Sequence, residues 1–160
     1  MRLVVADTSP LFYLLSIDRI DVLPQLFGTI FVPDAVHKEL CHPLAPALVR
    51  EWAAQLPPWV EVVGVDSLDD AMLRPLGAGE RAAITLALSM PADLILIDER
   101  KGTQVTIKKG FDVTGTLGIL GLAARRGLVN LAGSFAQLKG TNFRYRQEIM
   151  DELLDQQADQ

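Results

Sequence analysis

Short, β-branched apolar runs alternate along this chain with longer stretches of helical period, and that alternation limits the fold more than any other feature. Arg2–Ala6, Thr29–Val32, Val60–Val65, Leu94–Ile97 and Phe111–Thr114 read as strands. Several lack the polar alternation of a half-solvated strand, so both faces of their sheet should be covered. Pro10–Ser16, Pro33–Cys41, Ala45–Leu56, Gly79–Met90, Thr116–Arg126, Ser134–Leu138 and Tyr145–Asp155 read as helices. Strand–helix alternation of this kind predicts a parallel α/β sheet of four to five strands with helices on both faces.

Local signals refine the pattern. Ser9 is placed as an N-cap with Pro10 in the first helical position. Thr116 is the natural N-cap of its helix, with a hydroxyl that can also face an acidic pocket, and Gly127 is a C-terminal stop. Glu99–Lys109 is the weakest helical segment, because Gly102, Thr103, Val105, Thr106 and Ile107 all lower helix propensity. Leu56–Trp59, with two prolines, is a turn rather than a linker, and no internal repeat interrupts the chain.

A chain of 160 residues fits one domain with a sizeable core, and 49% hydrophobic with 22% charged residues is ordinary for a globular protein. No apolar run reaches the roughly 18–20 residues that span a bilayer. Asp7 follows Met1 too closely for a signal peptide, so the expectation is a cytoplasmic protein. Cys41 is the only cysteine, which excludes an intrachain disulfide. The net charge of −5 is unevenly spread: residues 100–146 hold nine Lys/Arg and one acid, whereas residues 1–99 hold six Lys/Arg and fourteen acids. Such a basic segment can set a phosphate-attracting rim beside an acidic centre, or can be solvated helix faces pointing in several directions.

Four acids stand at suggestive positions. Asp7 and Asp98 each lie just past a strand, and ligands of open parallel sheets bind outside the carboxyl ends of strands at a topological switch point. Glu39 sits in the helix after the second strand, and Glu80 near the start of the Ala-rich helix. Taken singly, Glu80 complements a helix dipole and Glu39 is a solvated helix position. Other signals are weaker. His37 and Cys41 share a helix face beside His42, but a structural zinc site needs about four ligands and no second pair exists; Cys41 is better read as a small buried residue. Gly115–Gly121 has GxxGxxG spacing rather than a dinucleotide fingerprint, and no Walker motif occurs.

The ordered set resembles the PIN-domain family: Asp7-Thr8-Ser9 after the first strand, Glu39 in Val36-His37-Lys38-Glu39-Leu40, Glu80 opening an Ala-rich helix, and Asp98 after a later strand. Leu76–Glu80 and Val113–Gly118 are similar to segments of a prokaryotic PIN-like subgroup related to virulence-associated toxins. The resemblance runs from about Leu3 to Leu138. It implies a three-layer α/β/α fold, a single PIN-like nuclease domain over residues 1–160, and divalent-metal-dependent cleavage of RNA. It also implies a homodimer and, where the relative is a toxin, an antitoxin protein partner. Asp7, Glu39, Glu80 and Asp98 match the family's acidic quartet, the expected catalytic and Mg²⁺- or Mn²⁺-binding residues; Thr8 and Ser9 match the hydroxyl position beside the first acid. Arg100 and Lys101 are candidates for RNA phosphates, with Lys108 and Lys109 behind them. Two positions depart from the family: Glu80 stands where Asp is usual, and Arg100 and Lys101 stand where a further Asp or Asn is common.

The chemistry suits those residue types. Mg²⁺ takes oxygen ligands and keeps several waters. Without a cation, two carboxylates ~4 Å apart repel by about 4 kcal/mol at an effective dielectric near 20. Two other readings stand beside the nuclease. One is a degenerate PIN module that binds RNA or a protein without cutting. The other is a haloacid-dehalogenase-type phosphatase, which needs a second Asp two residues after the first, where this chain has Ser9.

Overall fold

The computed structural model describes residues 2–158. The elements run β1 (Val4–Ala6), α1 (Thr8–Ser16), α2 (Val22–Phe27), β2 (Ile30–Pro33), α3 (Asp34–Leu40), α4 (Ala47–Ala54), β3 (Val60–Val63), α5 (Ala78–Ser89), β4 (Leu94–Leu96), α6 (Arg100–Lys108), β5 (Asp112–Thr114), α7 (Thr116–Arg125), α8 (Leu131–Lys139) and α9 (Gln147–Ala158). All five strands pair in parallel, in the order β3-β2-β1-β4-β5. The chain leaves β1 for β2 on one side and returns to β4 on the other, so the switch point lies between β1 and β4. Val4 pairs with Leu94 and Ala6 with Leu96, which brings the carboxyl ends of these two strands level.

The period of two along each strand divides its side chains between two cores. Val4, Ala6, Ile30, Val32, Leu94 and Leu96 face one layer, built from α1–α4 and α7–α9. Val5, Ile95 and Ile97 face the other, where Ala83, Leu86 and Ala87 of α5 cover them. The result is a three-layer α/β/α fold of the PIN-like type. Small residues on α5 let it lie close to the sheet, and Gly121 lets α7 approach α9, since a Cβ there would sit 3.4 Å from Leu153. Among the described residues, no helix is long and apolar enough to cross a membrane.

Several boundaries differ from the sequence reading. Asp7, not Ser9, occupies the N-cap of α1, so Pro10 falls third in the helix, still within the turn whose N–H groups lack intrahelical partners. Gly115 likewise caps α7, leaving Thr116 as its first residue. The short α2 had no sequence signal. The Glu99–Lys109 segment does form a helix, despite its propensity. The Glu99 side chain accepts from the Lys101 amide at 3.2 Å, and the Thr106 hydroxyl donates to the Gly102 carbonyl at 2.7 Å. Val105 packs against Leu73, Leu76 and Ile84, so tertiary burial outweighs local preference.

Candidate active site

The first strand ends at Ala6, and the Asp7 amide continues the ladder by donating to the Leu96 carbonyl at 2.9 Å. The Asp7 side chain therefore leaves the sheet at the switch point. It is only 4% exposed. Its cap position is unused for capping, because the carboxylate makes no bond to the α1 amides that a side-chain cap would serve.

Asp98, two residues past β4, meets it from the adjacent strand and is held by three donors. The Thr116 amide and hydroxyl each reach it at 2.7 Å, and the Ser9 hydroxyl at 2.9 Å. Thr116 thus aims its hydroxyl into the acidic site instead of capping α7. Replacing Thr116, which is fully buried, by Val removes one charge-assisted bond and keeps the shape. The expected cost is roughly 1.5–3 kcal/mol in urea unfolding; unchanged stability would mean that Asp98 does not depend on this hydroxyl.

Glu39 reaches the same place from α3, where its Oε2 accepts from the Thr8 hydroxyl at 2.7 Å. Glu80 comes from the first turn of α5, which packs against α3. Glycines make room for all four acids. A Cβ on Gly79 would lie 2.7 Å from Glu39 Oε1 and 3.0 Å from Asp7 Oδ1, and one on Gly115 would lie 2.5 Å from Asp98 Oδ1. Cβ atoms on Gly77 and Gly102 would come within 3.2 and 3.3 Å of the two Glu80 oxygens. Four carboxylates from four segments converge because the backbone between them carries no side chains.

This crowding shows in the acidities. Burial pushes Asp7 up to about 7, opposed by the Thr8 amide and reinforced by the charges of Glu80, Glu39 and Asp98. Burial also raises Glu80, with Glu99 and Glu39 adding to the effect and the Gly77 backbone and Arg81 opposing it. Glu99, which in sequence only opened the weak helical segment, is thus a fifth acid of the site.

The acids line one side of an open cleft of about 900 Å³. Thr8, Ser9 and Arg100 line it as well, whereas Lys101 is exposed outside it and Lys109 is paired with Asp70. The rest of the lining was not anticipated. Phe12 and Tyr13 of α1 line the cleft together with Asn142, Phe143, Arg144 and Arg146 from the segment before α9. The available signal was two arginines alternating with aromatics at the end of the basic stretch; nothing in the sequence tied them to Asp7.

Among the described residues, no three His, Cys, Asp or Glu side chains stand close enough to enclose a metal by themselves. The donors still suit a hard divalent cation. All are carboxylate oxygens, and a partly hydrated ion fills a wider ring than a bare one. A buried Asp7 crowded by like charges is the group such an ion would relieve. The His37–Cys41 pair fits no such role: His37 Nε2 lies 2.8 Å from the Ala53 carbonyl, and His42 Nδ1 accepts from the Leu44 amide at 3.0 Å. Cys41 is exposed rather than buried, because it caps α3 outside the face that Val36 and Leu40 bury.

No curated protein matches the chain. A family model described as a PIN domain matches residues 3–159. With a parallel α/β/α fold and acids gathered at the carboxyl ends of β1 and β4, the chain belongs to the PIN-domain family, whose members are generally nucleases.

Proposed function

We propose that the protein is a divalent-metal-dependent ribonuclease that hydrolyses RNA phosphodiester bonds. The observation that carries this reading is the buried Asp7 carboxylate, ringed by Glu39, Glu80 and Asp98 at the floor of an open cleft. Asp7 and Asp98 would hold Mg²⁺ or Mn²⁺ directly, and Glu39 and Glu80 directly or through water. When bound, the ion supplies charge neutralisation at the scissile phosphate and makes water a better nucleophile.

The chain's own residues do the rest. The Thr116 amide and hydroxyl and the Ser9 hydroxyl fix the direction of Asp98. Thr8 restrains Glu39, which otherwise stands exposed on α3. Asp7, raised by burial to about 7, would be held as a carboxylate when a cation is bound. Arg100, at the start of α6, lines the cleft as a phosphate contact. The Thr8, Ser9 and Thr116 hydroxyls each donate to a carboxylate and so serve to position the acids.

The test is cleavage of single-stranded and structured RNA with Mn²⁺, and with EDTA in its place. Wild type should cut only with metal, and Asp98→Asn should not cut. Equal residual cleavage by both would mean a contaminating nuclease and would sink the proposal. Glu80 in place of the usual Asp, and the basic Arg100 and Lys101 after Asp98, favour one other reading, a PIN module that binds RNA without cutting; metal-independent binding with no cleavage would establish it. A toxin role with an antitoxin partner, and a homodimer, rest on the resemblance of Leu76–Glu80 and Val113–Gly118 alone. Growth arrest on expression of wild type but not of Asp98→Asn tests the first, and sedimentation the second.

A further inference from the structure

One wall of the cleft combines aromatic rings with guanidinium groups. The Tyr13 and Phe143 ring centroids lie 4.8 Å apart at 51°, and Phe12 meets Tyr13 edge-on at 5.0 Å and 77°. These three rings pack against the main core on one side and line the cleft on the other. The loop that carries Phe143 is held in place. Tyr13 Oη donates to Asn142 Oδ1 at 2.8 Å, the Phe143 amide donates to Thr141 Oγ1 at 3.1 Å, and the Thr141 hydroxyl donates to the Leu138 carbonyl at 2.6 Å. The rings are therefore pre-positioned, not swinging in solvent.

Arg144 and Arg146 follow directly and also line the cleft. Among the described residues Arg144 has no ion-pair partner, and Arg146 meets only Glu148, at a long 4.0 Å between exposed side chains. Two guanidinium groups without firm partners, beside rings that face a cleft, match what a single nucleic-acid strand presents: phosphates at the edge and bases with open faces. The bases of a duplex are stacked on one another and cannot reach such rings.

We propose that Phe143, backed by Tyr13, stacks on an unpaired base while Arg144 and Arg146 bind the flanking phosphates, so that this wall holds single-stranded RNA across the acidic floor. The inference rests on the ribonuclease reading for the identity of the strand, but it assigns binding to residues that take no part in the chemistry. The wall selects for strand state: a base must be unstacked before it can lie on Phe143. Sequence preference is weak, because every base has a π-face.

The experiment is fluorescence anisotropy with a labelled, unstructured RNA of about a dozen nucleotides, a length that covers the site sizes of single-strand binders. EDTA is present throughout, so that binding is read without cleavage. Loss of one stacked base is expected to weaken binding of Phe143→Leu about tenfold. Arg144→Ala with Arg146→Ala should lower the slope of log K against log salt by roughly 1.4, from about 0.7 per single-strand phosphate contact. Because both arginines are exposed, this variant remains informative even if Phe143→Leu unfolds. A duplex of the same sequence should bind more weakly than the single strand. Wild-type affinity and slope in the arginine variant, duplex binding as tight as single-strand binding, or no RNA binding by wild type would each overturn the wall. Wall-dependent binding without any metal-dependent cleavage would instead sink the nuclease reading and leave this one standing.

Discussion

Asp7→Asn is expected to lower metal-dependent RNA cleavage by at least roughly 10²–10³-fold, the scale on which one preorganised electrostatic contact acts at a transition state. Asp7 has the most to lose of the four acids. It is buried where Glu39 is exposed, and its amide is tied into the β1–β4 ladder, so no neighbouring carboxylate can move into its place. Asn has nearly the same shape, so circular dichroism and thermal unfolding should show a folded protein. Cleavage by Asp7→Asn within a fewfold of wild type, in Mn²⁺ and on several RNAs, would remove Asp7 from the chemistry.

The same substitution should have the opposite effect on metal-free stability. Asp7 titrates near 7 when folded against an ordinary value of 3.8. Below the ordinary value, folded and unfolded chains both hold the proton and nothing is lost. As pH rises between the two values, the unfolded chain ionises first, so stability falls; above the folded value the loss levels off. The full loss is about 4 kcal/mol, at about 1.4 kcal/mol for each tenfold change in proton affinity. The raised Glu80 acts in the same direction, whereas Asp70, lowered by its bond to Lys109, acts in the opposite one. The clean measurement is the difference between Asp7→Asn and wild type in EDTA, which cancels the groups that do not interact with Asp7, Asp70 among them. That difference should be near zero at pH 4 and grow in favour of Asn up to pH 8. Added Mn²⁺ should reverse it, because the ion stabilises only the folded wild type. A difference flat with pH would mean that Asp7 is solvated and not crowded.

The five strands were legible because each is a compact apolar run, and a sheet covered on both faces demands such runs. Asp7 and Asp98 followed from strand ends. Their meeting at neighbouring strand ends was expected from the switch-point rule and the resemblance, and the β1–β4 pairing provides it, although strand order itself follows from which edges pair and not from a local pattern. Glu39 and Glu80 look like ordinary helix acids in sequence; only the resemblance singled them out, and the α3–α5 packing with Gly79 between them supplies the physical reason. Asp7 at an N-cap without a capping bond and Gly102 in a helix both ran against local rule, one because the side chain serves the site, the other because a Cβ would strike Ile97 at 2.6 Å. The aromatic and arginine wall was hidden by distance along the chain. Residues 142–146 reach α1 through one tyrosine–asparagine bond and one ring contact that no periodicity encodes.

The position of β1 at the centre of the sheet bears on synthesis. Asp7 leaves the ribosome well before the neighbour that aligns it: β4 begins at Leu94, and the donor that fixes Asp98 is Thr116. Pairings so distant in sequence form late and slowly. A growing chain can close β1 against β2 early, but the acidic cluster cannot assemble until Thr116 has emerged. A truncated translation product ending before β4 would carry Asp7, Glu39 and Glu80 but lack Asp98 and the strand that aligns Asp7. On the proposed ribonuclease reading, this strand order would keep the nascent chain harmless to its own template.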